Sequence, residues 1–286
     1  MGARIVLVTA SELPAPDDEL PVARAAAERA GLTADVAAWD DPAVEWASYD
    51  AALIRSTWNY PSHLDRFVAW ADAVGAATRL VNSPAIVRWN SVKTYLGDLA
   101  AAGVPTVPTT YLAPGESIAL PGYDDFVVKP TVGGGARGAR RFRTADAAAA
   151  PDHVAALHQQ GFTAMVQPYQ AGVDRDGERA LLYFGGEFSH AIVKGAVLSP
   201  VTGVRGEESH PNVRPYEPTA AEHTIARAAL AAAPEIPLYG RLDLVLGDAG
   251  TPIVMEAELI EPNLFLGYSA GADDRLITAL NDLLAG

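Results

Sequence analysis

Cysteine is absent from this sequence of 286 residues. Its absence excludes disulfide bonds, zinc sites built on thiolates and cysteine nucleophiles. Long apolar runs are missing too: no segment approaches the ~20 apolar residues that a membrane-spanning helix needs. The apolar start, MGARIVLVTA, is too short for a signal peptide. These absences predict a cytoplasmic protein that does not act on a membrane.

Positive charge is scarce as well. The chain has 21 lysine and arginine residues against 35 aspartate and glutamate residues, a formal net charge of −14. A general attraction to phosphate backbones is therefore not expected, so no nucleic-acid partner is predicted and a phosphate site would have to be built locally. The six histidines lack the spacing of a zinc motif, and no serine sits in a nucleophile elbow.

Strand and helix patterns alternate over the first third of the chain. Strands are predicted over 4–8, 34–39, 51–56 and 79–83, and helices over 20–30 and 63–74. This order is typical of a small α/β layer with a parallel sheet. Ser83 and Pro84 then form a pair typical of a helix N-cap and first turn. One helix is predicted from there to Gly103, with a domain boundary near residue 85.

Antiparallel hairpins dominate the pattern that follows. Strands are predicted over 125–130, 139–143, 163–169, 179–184, 187–194, 239–246 and 252–260. Helices are predicted up to His158, over 219–233 and over 273–284. The stretch 199–218 has no period and mixes charges with prolines, which predicts a mobile surface loop. The two parts together predict an α/β protein with additional α+β elements.

Two carboxylates stand inside an apolar strand pattern near the C-terminus. Glu256 and Glu258 are two residues apart, so in a strand they share one face, while Met255, Ala257 and Leu259 are expected on the other. At an assumed ~6 Å and an effective dielectric of ~20, their repulsion is roughly 3 kcal/mol. A cation, a proton or a basic neighbour has to compensate.

The strand predicted before this one offers such a neighbour. Arg241 and Asp243 share one face of the pattern GRLDLV, so pairing the two strands would gather one arginine and three carboxylates. Three carboxylates suit Mg²⁺, a hard ion that is usually shared with substrate phosphates. An ion-pair network without a metal is the alternative.

A glycine-rich loop separates the strands predicted over 125–130 and 139–143. Its sequence GGGARG, Gly133 to Gly138, matches G-x-G-x-x-G, but a strand follows where the dinucleotide fingerprint requires a helix. The lysine of a Walker loop is missing as well. A glycine hairpin can still cover phosphates and offer backbone N–H groups, with Lys129 within reach at the end of the preceding strand. A flexible turn is the alternative.

Two further elements have plain interpretations when taken alone. Lys93 is explained as a solvated helix lysine, and MVQPY, 165–169, as an edge strand that Pro168 ends. The order of all these elements along the chain, however, resembles the ATP-grasp superfamily, which includes glutathione synthetase, D-alanine:D-alanine ligase and the ribosomal-protein glutamate ligases. The separation of Asp243 and Glu256 is similar to that in the D-alanine ligase branch.

The resemblance implies a role for each of these positions. Lys93 and Lys129 would contact the nucleotide phosphates, and the glycine hairpin with Gly134 and Gly135 would cover them. Gln167, Pro168 and Tyr169 would form the hinge that receives adenine, and Glu178 would bind the ribose. One or two Mg²⁺ ions would be bound by Asp243, Glu256 and Glu258. Glu258 stands where the family usually has asparagine. The basic groups near the γ-phosphate would be Arg179, Lys194 and Arg241.

A substrate site is predicted just after the strand 51–56, because ligands of open α/β sheets bind beyond the carboxyl ends of the strands. Its members would be Arg55, Ser56, Thr57, Trp58 and Tyr60, with Asn263 nearby. Arg55 would clamp a carboxylate through two parallel hydrogen bonds, with the hydroxyls as donors and the rings as walls. The alternative is that the rings pack a domain interface and Arg55 makes a surface salt bridge.

The segments RSTWNYPSHLDRFVAWAD and LIEPNLFL further resemble a branch that includes the D-cycloserine-forming ligase of antibiotic biosynthesis. The resemblance implies an N-terminal domain over 1–85 and an ATP-grasp domain over 86–286, with subdomains of about 86–165 and 166–286. It also implies an ATP-dependent ligase that activates an amino-acid-like carboxylate as an acyl phosphate and joins it to a nitrogen nucleophile. Two alternatives stay open for the function: a small-molecule kinase and a non-catalytic nucleotide-binding regulatory protein. A homodimer stays open for the assembly.

Overall fold

The computed structural model describes residues 2–198, 203, 210–247 and 250–286. Over these ranges the strands form three sheets. No helix in the same ranges is long and apolar enough to cross a membrane.

The first sheet is parallel, as the alternating pattern predicts. Its strands are β1 (Arg4–Thr9), β2 (Thr33–Ala38), β3 (Ala51–Ser56) and β4 (Arg79–Val81), in the order β2-β1-β3-β4. The helices α1 (Glu19–Arg29) and α2 (Leu64–Ala77) connect them. Successive residues of β1 contribute to different apolar clusters, Ile5 to one and Val6 to another. The sheet is therefore covered on both faces, as parallel sheets usually are.

Two short helices follow where one was expected. They are α3 (Pro84–Asn90) and α4 (Tyr95–Ala101), so the prediction of a continuous helix up to Gly103 is wrong. The backbone leaves the helix between them, and in this break the N–H of Lys93 donates to the carbonyl of Thr131 at 2.8 Å. The tertiary contact overrides helix propensity and turns Lys93 inward instead of leaving it solvated on a helix.

The second sheet is antiparallel. Its strands are β5 (Thr110–Leu112), β6 (Asp125–Pro130), β7 (Arg140–Arg143) and β8 (Ala164–Pro168), in the order β5-β8-β6-β7. The hairpin predicted around the glycine loop is confirmed by the pairing of β6 with β7, and α5 (Ala150–Gln159) packs against β6. The interpretation of β8 as an edge strand is wrong, because β8 pairs on both sides, and a division at residue 165 would cut it.

The third sheet is also antiparallel and carries most of the predicted acidic residues. Its strands are β9 (Glu178–Phe184), β10 (Glu187–Lys194), β11 (Arg214–Tyr216), β12 (Tyr239–Leu246) and β13 (Pro252–Glu258), in the order β11-β10-β9-β12-β13. The remaining helices are α6 (Gly172–Asp176), α7 (Ala220–Ala231) and α8 (Ala272–Ala285). Strand β11 corrects the expectation of a loop throughout 199–218, since residues 214–216 pair with β10. Residues 199–202 and 204–209 lie outside the described residues.

Strand β13 is an edge strand, and α3 and α4 satisfy backbone groups at its outer edge. Asn90 donates through Nδ2 to the carbonyl of Ala257 and accepts through Oδ1 from the N–H of Leu259, both at 2.8 Å. The hydroxyl of Tyr95 accepts from the N–H of Ala257 at 3.0 Å. An uncovered edge would be free to pair with another chain. These side chains therefore fix the strand that bears Glu256.

We expect Asn90→Ala to lower the free energy of unfolding by roughly 3 kcal/mol, because two buried backbone groups would each lose a partner at a cost of about 1–3 kcal/mol. Urea-induced unfolding followed by circular dichroism measures the change. Asn281→Ala, at a half-buried position on α8, is the matched control. Equal losses in the two variants would contradict the role given to Asn90.

Candidate active site

A cleft opens between the second and third sheets, with β6 and β8 on one side and β12 and β13 on the other. Most of the residues predicted for nucleotide and metal binding line it. They are Lys93, Lys129, Gly134, Gly135, Gln167, Pro168, Tyr169, Glu178, Lys194, Arg241, Asp243, Glu256 and Glu258. The fold thus gathers residues that are far apart in sequence into one concave site.

The pairing of β12 with β13 forms the floor of this cleft. Asp243 lies opposite Glu256, and Arg241 lies opposite Glu258, so the predicted gathering of one arginine and three carboxylates is confirmed. Arg241 binds both oxygens of Asp243, through Nε at 2.8 Å and Nη2 at 2.9 Å. The same guanidinium also pairs with Glu258. Basic neighbours therefore compensate the repulsion between the carboxylates.

A β-bulge next to Asp243 changes the orientation expected for one residue. Leu244 pairs with Val254, so Met255 is the extra residue of β13 at this point. A bulge of this kind re-aims side chains, and Met255 lines the cleft beside Glu256. Strict alternation had placed Met255 on the opposite face, and that expectation is wrong. Its thioether side chain gives the cleft an apolar wall.

Three lysines approach the acidic floor from different elements. Lys194 lies between two carboxylates, with Nζ at 2.7 Å from Glu178 and 3.0 Å from Asp243. Lys93 places its Nζ 3.1 Å from Glu256 and also donates to a carbonyl of the glycine loop. Lys129, at the end of β6, is half-buried in the same cleft. Counting Arg241 and the acids already named, four basic groups face four acidic ones.

Burial and crowding shift the pKa values of these groups. Burial alone would raise the pKa of Asp243, but Arg241 and Lys194 hold it far below its usual value. Burial raises the pKa of Glu258, and the charges of Glu256 and Asp243 add to this effect against that of Arg241. Burial lowers the pKa of Lys129. The site therefore holds its charges in a poorly solvated space, where an added anion or cation is felt strongly.

The carboxylates of the cleft can be compared with the ligands that Mg²⁺ requires. Within the described ranges, no three acidic or histidine side chains are arranged to hold a metal ion by themselves. Mg²⁺, however, usually takes one or two protein carboxylates and completes its shell with water and phosphate oxygens. Asp243 and Glu256, paired across neighbouring strands, offer such oxygen donors. The donor set fits a magnesium ion shared with a phosphate-bearing substrate.

At the end of β8 the cleft forms a largely apolar slot. Gln167 donates through Nε2 to Thr109 at 2.8 Å, and the N–H of Tyr169 is taken by the carbonyl of Asp125 at 2.9 Å. Pro168 has no N–H to offer. The apolar walls are Val107, Val127, Val173 and Met255. A slot of this kind suits a flat ring that is held between apolar side chains.

Arg179 does not reach this cleft. Glu178 faces the cleft, so its neighbour in the strand points to the opposite face of the sheet. There, Arg179 is buried against α7, with Nε at 3.1 Å from Glu222 and its guanidinium over the ring of Tyr216. The structure therefore corrects the prediction that Arg179 is a basic group near the γ-phosphate.

A side pocket continues the cleft past Arg241 and Glu258 toward α1. We define it by Glu19, Trp58, Arg137, Glu261, Asn263, Phe265 and Tyr268. Trp58 and Asn263 are thus the predicted substrate residues that line it. The indole of Trp58 donates to the carbonyl of Glu261 at 3.0 Å, and the amide of Asn263 contacts His210 at 2.8 Å.

The other predicted substrate residues are buried instead. Arg55 is 1% exposed, and Ser56 and Thr57 are fully buried. Tyr60 stacks on Phe67 at a centroid distance of 4.6 Å within the aromatic core. These four residues do not form the surface of a substrate site, because β3 is buried along its whole length and Thr57 and Tyr60 are buried as well. The alternative of a surface salt bridge for Arg55 is equally wrong.

Glu19 and Glu261 line the side pocket without having been predicted. Glu19 belongs to the acidic stretch DDEL and is typical of the exposed start of a helix, so its sequence context gave no signal. Glu261 lies between the end of a strand and a proline, a position that could have been singled out. Burial, with the charge of Glu258 adding to it, raises the pKa of Glu261 to about 8.

Comparisons with known proteins agree with this architecture. Residues 5–82 match the family model described as the N-terminal domain of the D-cycloserine synthetase DcsG. The chain is 37% identical to the cycloserine biosynthesis protein DcsG of Streptomyces lavendulae, over 99% of both sequences. The crystal structure of D-cycloserine synthetase DcsG covers 98% of this chain and 99% of its own, with a TM-score of 0.90 and 37% identity.

A more distant structure shows the same fold. D-alanine–D-alanine ligase from Bacillus anthracis, solved in complex with ATP, covers 99% of this chain and 98% of its own, with a TM-score of 0.69 at 16% identity. The cleft between two antiparallel sheets and the identity over the whole chain lead to one conclusion. The chain belongs to the D-cycloserine synthetase family of ATP-grasp enzymes, which are ATP-dependent ligases of antibiotic biosynthesis.

Proposed function

We propose that this ligase activates the carboxylate of a small amino acid as an acyl phosphate and closes it onto a nitrogen of the same molecule. The observation that carries the proposal is the junction of the cleft with the side pocket at Arg241 and Glu258. A nucleotide in the cleft and an amino acid in the side pocket would meet there. The names of the relatives at 37% identity support a cyclised product.

The nucleotide would lie in the cleft with its phosphates toward the lysines. Lys93 and Lys129 would contact the phosphates, Gly134 and Gly135 would cover them, and Glu178 would bind the ribose. The slot bounded by Gln167, Pro168, Tyr169 and Met255 would receive adenine. Burial disfavours the charged form of Lys129. A phosphate beside it would favour that form, because an opposite charge raises the pKa of a lysine.

Asp243, Glu256 and Glu258 would hold one or two Mg²⁺ ions together with phosphate oxygens. Bound there, the metal would neutralise the charge of the transferred phosphoryl group. Arg241 keeps both oxygens of Asp243 in place, and Lys194, which contacts the same carboxylate, would offer its charge to the γ-phosphate. The contribution of these residues is positioning and charge neutralisation.

The proposed reaction has two steps. A carboxylate oxygen of the substrate attacks the γ-phosphorus, the bond to ADP breaks, and an acyl phosphate forms. The nitrogen then attacks the acyl carbon, inorganic phosphate leaves with the bonding electrons, and the nitrogen loses a proton. Trp58 and Phe265, which line the side pocket, would shield the reactive acyl phosphate from water.

The proposal includes the organisation of the chain. Residues 1–85 would form one domain and residues 86–286 the ATP-grasp domain, acting in the cytoplasm on small molecules without a nucleic-acid partner. The homodimer stays a prediction.

Product analysis tests the reaction. Cycloserine is a cyclic hydroxamate, so the purified enzyme is incubated with ATP, Mg²⁺ and D- or L-serine derivatives that carry a nitrogen on the side-chain oxygen. We expect ADP and phosphate to form in equal amounts. Mass spectrometry should show the open compound disappearing and a cyclic product forming. A stable phosphorylated compound would contradict the ligase step and indicate a kinase, and ADP release only with a second amine would contradict cyclisation.

Glu256→Gln tests the metal assignment. The change keeps the side-chain volume but removes a charged oxygen donor, so turnover at limiting Mg²⁺ should fall by at least about tenfold. Higher Mg²⁺ should restore part of it. Glu217→Gln, at an exposed position, is the control and should behave like the wild type. Normal turnover of Glu256→Gln at limiting Mg²⁺ would remove Glu256 from the metal site.

Lys129→Met tests the phosphate assignment. Removing the charge should raise the KM for ATP or lower kcat, each by about tenfold or more, because a charged donor to the phosphates is lost. The fold should tolerate the change, since methionine is a flexible apolar side chain of similar length. Steady-state kinetics with ATP as the varied substrate measures the effect, and unchanged constants would place the triphosphate elsewhere.

A further inference from the structure

The turn that follows β13, residues 259–266, has its backbone held by side chains from other parts of the molecule. Successive carbonyl groups from residue 259 to residue 264 accept hydrogen bonds from the side chains of Asn82, Tyr239, Trp58, Arg55, Arg241 and His190. We call this segment the 259–266 turn. Each donor lies on an element distant in sequence, so the turn takes its shape from the assembled fold.

One carboxylate holds the N–H side of the same turn. Glu19, in the first turn of α1, accepts from the N–H of Leu264 at 2.6 Å and from the N–H of Leu266 at 2.7 Å. Between these two groups, Phe265 has φ 51° and ψ 40°, the left-handed conformation. A bulky residue adopts this conformation only when the surrounding structure imposes it. The two oxygens of Glu19 bracket this strained residue.

Arg55 places a positive charge beside the half-buried carboxylate of Glu19. Its Nη2 lies 3.6 Å from Glu19 and donates to the carbonyl of Pro262 at 3.1 Å. Its Nε and Nη1 are buried and have no hydrogen-bond partner among the described residues. The guanidinium therefore contacts Glu19 and the turn through Nη2, and Arg55 is buried at 1% exposure.

The 259–266 turn connects this anchor with the reacting end of the cleft. Asn263, next to Leu264, lines the side pocket, and its carbonyl accepts from Nη1 of Arg241 at 3.1 Å. Arg241 in turn holds Asp243 through two hydrogen bonds. A shift of the turn would thus move one wall of the side pocket, while the contacts of Arg241 with Asp243 and Glu258 do not depend on the turn.

From this geometry we infer that Glu19 is a positioning residue for the amino-acid substrate: it fixes the 259–266 turn so that Asn263 and Phe265 present one constant surface to the side pocket. The inference rests on the proposed function, because it takes the side pocket as the amino-acid site. It assigns to the N-terminal α/β layer a part in substrate binding that does not involve the nucleotide.

Steady-state kinetics of Glu19→Gln tests the consequence. Glutamine offers one acceptor oxygen where glutamate offers two, so one N–H of the turn loses its partner and Arg55 loses its counter-charge. We expect the KM for the serine derivative to rise about tenfold, equivalent to 1.4 kcal/mol, with the KM for ATP unchanged within about twofold. Glu28→Gln, the same change at an exposed site of α1, should leave both constants unchanged.

Hydrogen–deuterium exchange provides a readout that does not depend on turnover. The peptide covering residues 259–266 should exchange about tenfold faster in Glu19→Gln than in the wild type or Glu28→Gln, while β12 keeps its protection. Glu19→Asp keeps the charge but is too short to reach both N–H groups. Glu19→Asp should therefore show the same selective effects to a smaller extent, and it replaces Glu19→Gln as the test variant if Glu19→Gln fails to fold.

The outcomes separate this inference from the proposed function. If the wild type turns over a serine derivative but the 259–266 peptide of Glu19→Gln exchanges at the wild-type rate, the role of Glu19 is overturned and the proposed function stands. Faster exchange with an unchanged KM for the serine derivative also overturns it, as does an equal rise in both KM values, which would indicate general damage. A wild-type enzyme that turns over none of the serine derivatives overturns the proposed function and this role with it.

Discussion

Arg241 holds both oxygens of Asp243 in the third sheet, and Lys194 contacts the same carboxylate from β10, which is separated from β12 by β9. Breaking a buried pair of this kind leaves an uncompensated charge, which costs several kcal/mol. The register of β12 with β13 is therefore under strong constraint, because a slip by one residue would turn Asp243 into the apolar layer. The coverage of the β13 edge by α3 and α4 serves the same constraint.

The balance of four acids and four bases explains why such a site can be buried before any ligand binds. The four basic groups differ in how firmly they are held. Arg241 is anchored by Asp243, Glu258 and the carbonyl of Asn263, whereas Lys93 and Lys129 end long, flexible chains. A phosphate could replace Glu256 as the partner of Lys93 without disturbing the arginine, because a lysine ammonium can exchange a carboxylate oxygen for a phosphate oxygen.

Sequence patterns were sufficient where one strand and its partner decide the outcome. The shared face of Glu256 and Glu258, the pairing with Arg241 and the glycine hairpin all follow from period-two alternation and local turn chemistry. The patterns failed where a distant contact decides. The bulge at Met255 and the helix break at Lys93 are imposed by neighbouring elements, and the burial of Arg55 depends on a carboxylate and a carbonyl that are far away in sequence.

The cleft and the side pocket are built from different elements. The cleft lies between the second and third sheets, whereas the side pocket uses the third sheet together with α1 and the segment after β3. The 259–266 turn joins them, because Asn82 and Arg55 hold it from the first layer while Tyr239 and Arg241 hold it from β12. Substitutions in the first layer can therefore reshape the side pocket while the residues that line the cleft stay in place. A family built in this way can change its amino-acid substrate and keep one mechanism of carboxylate activation.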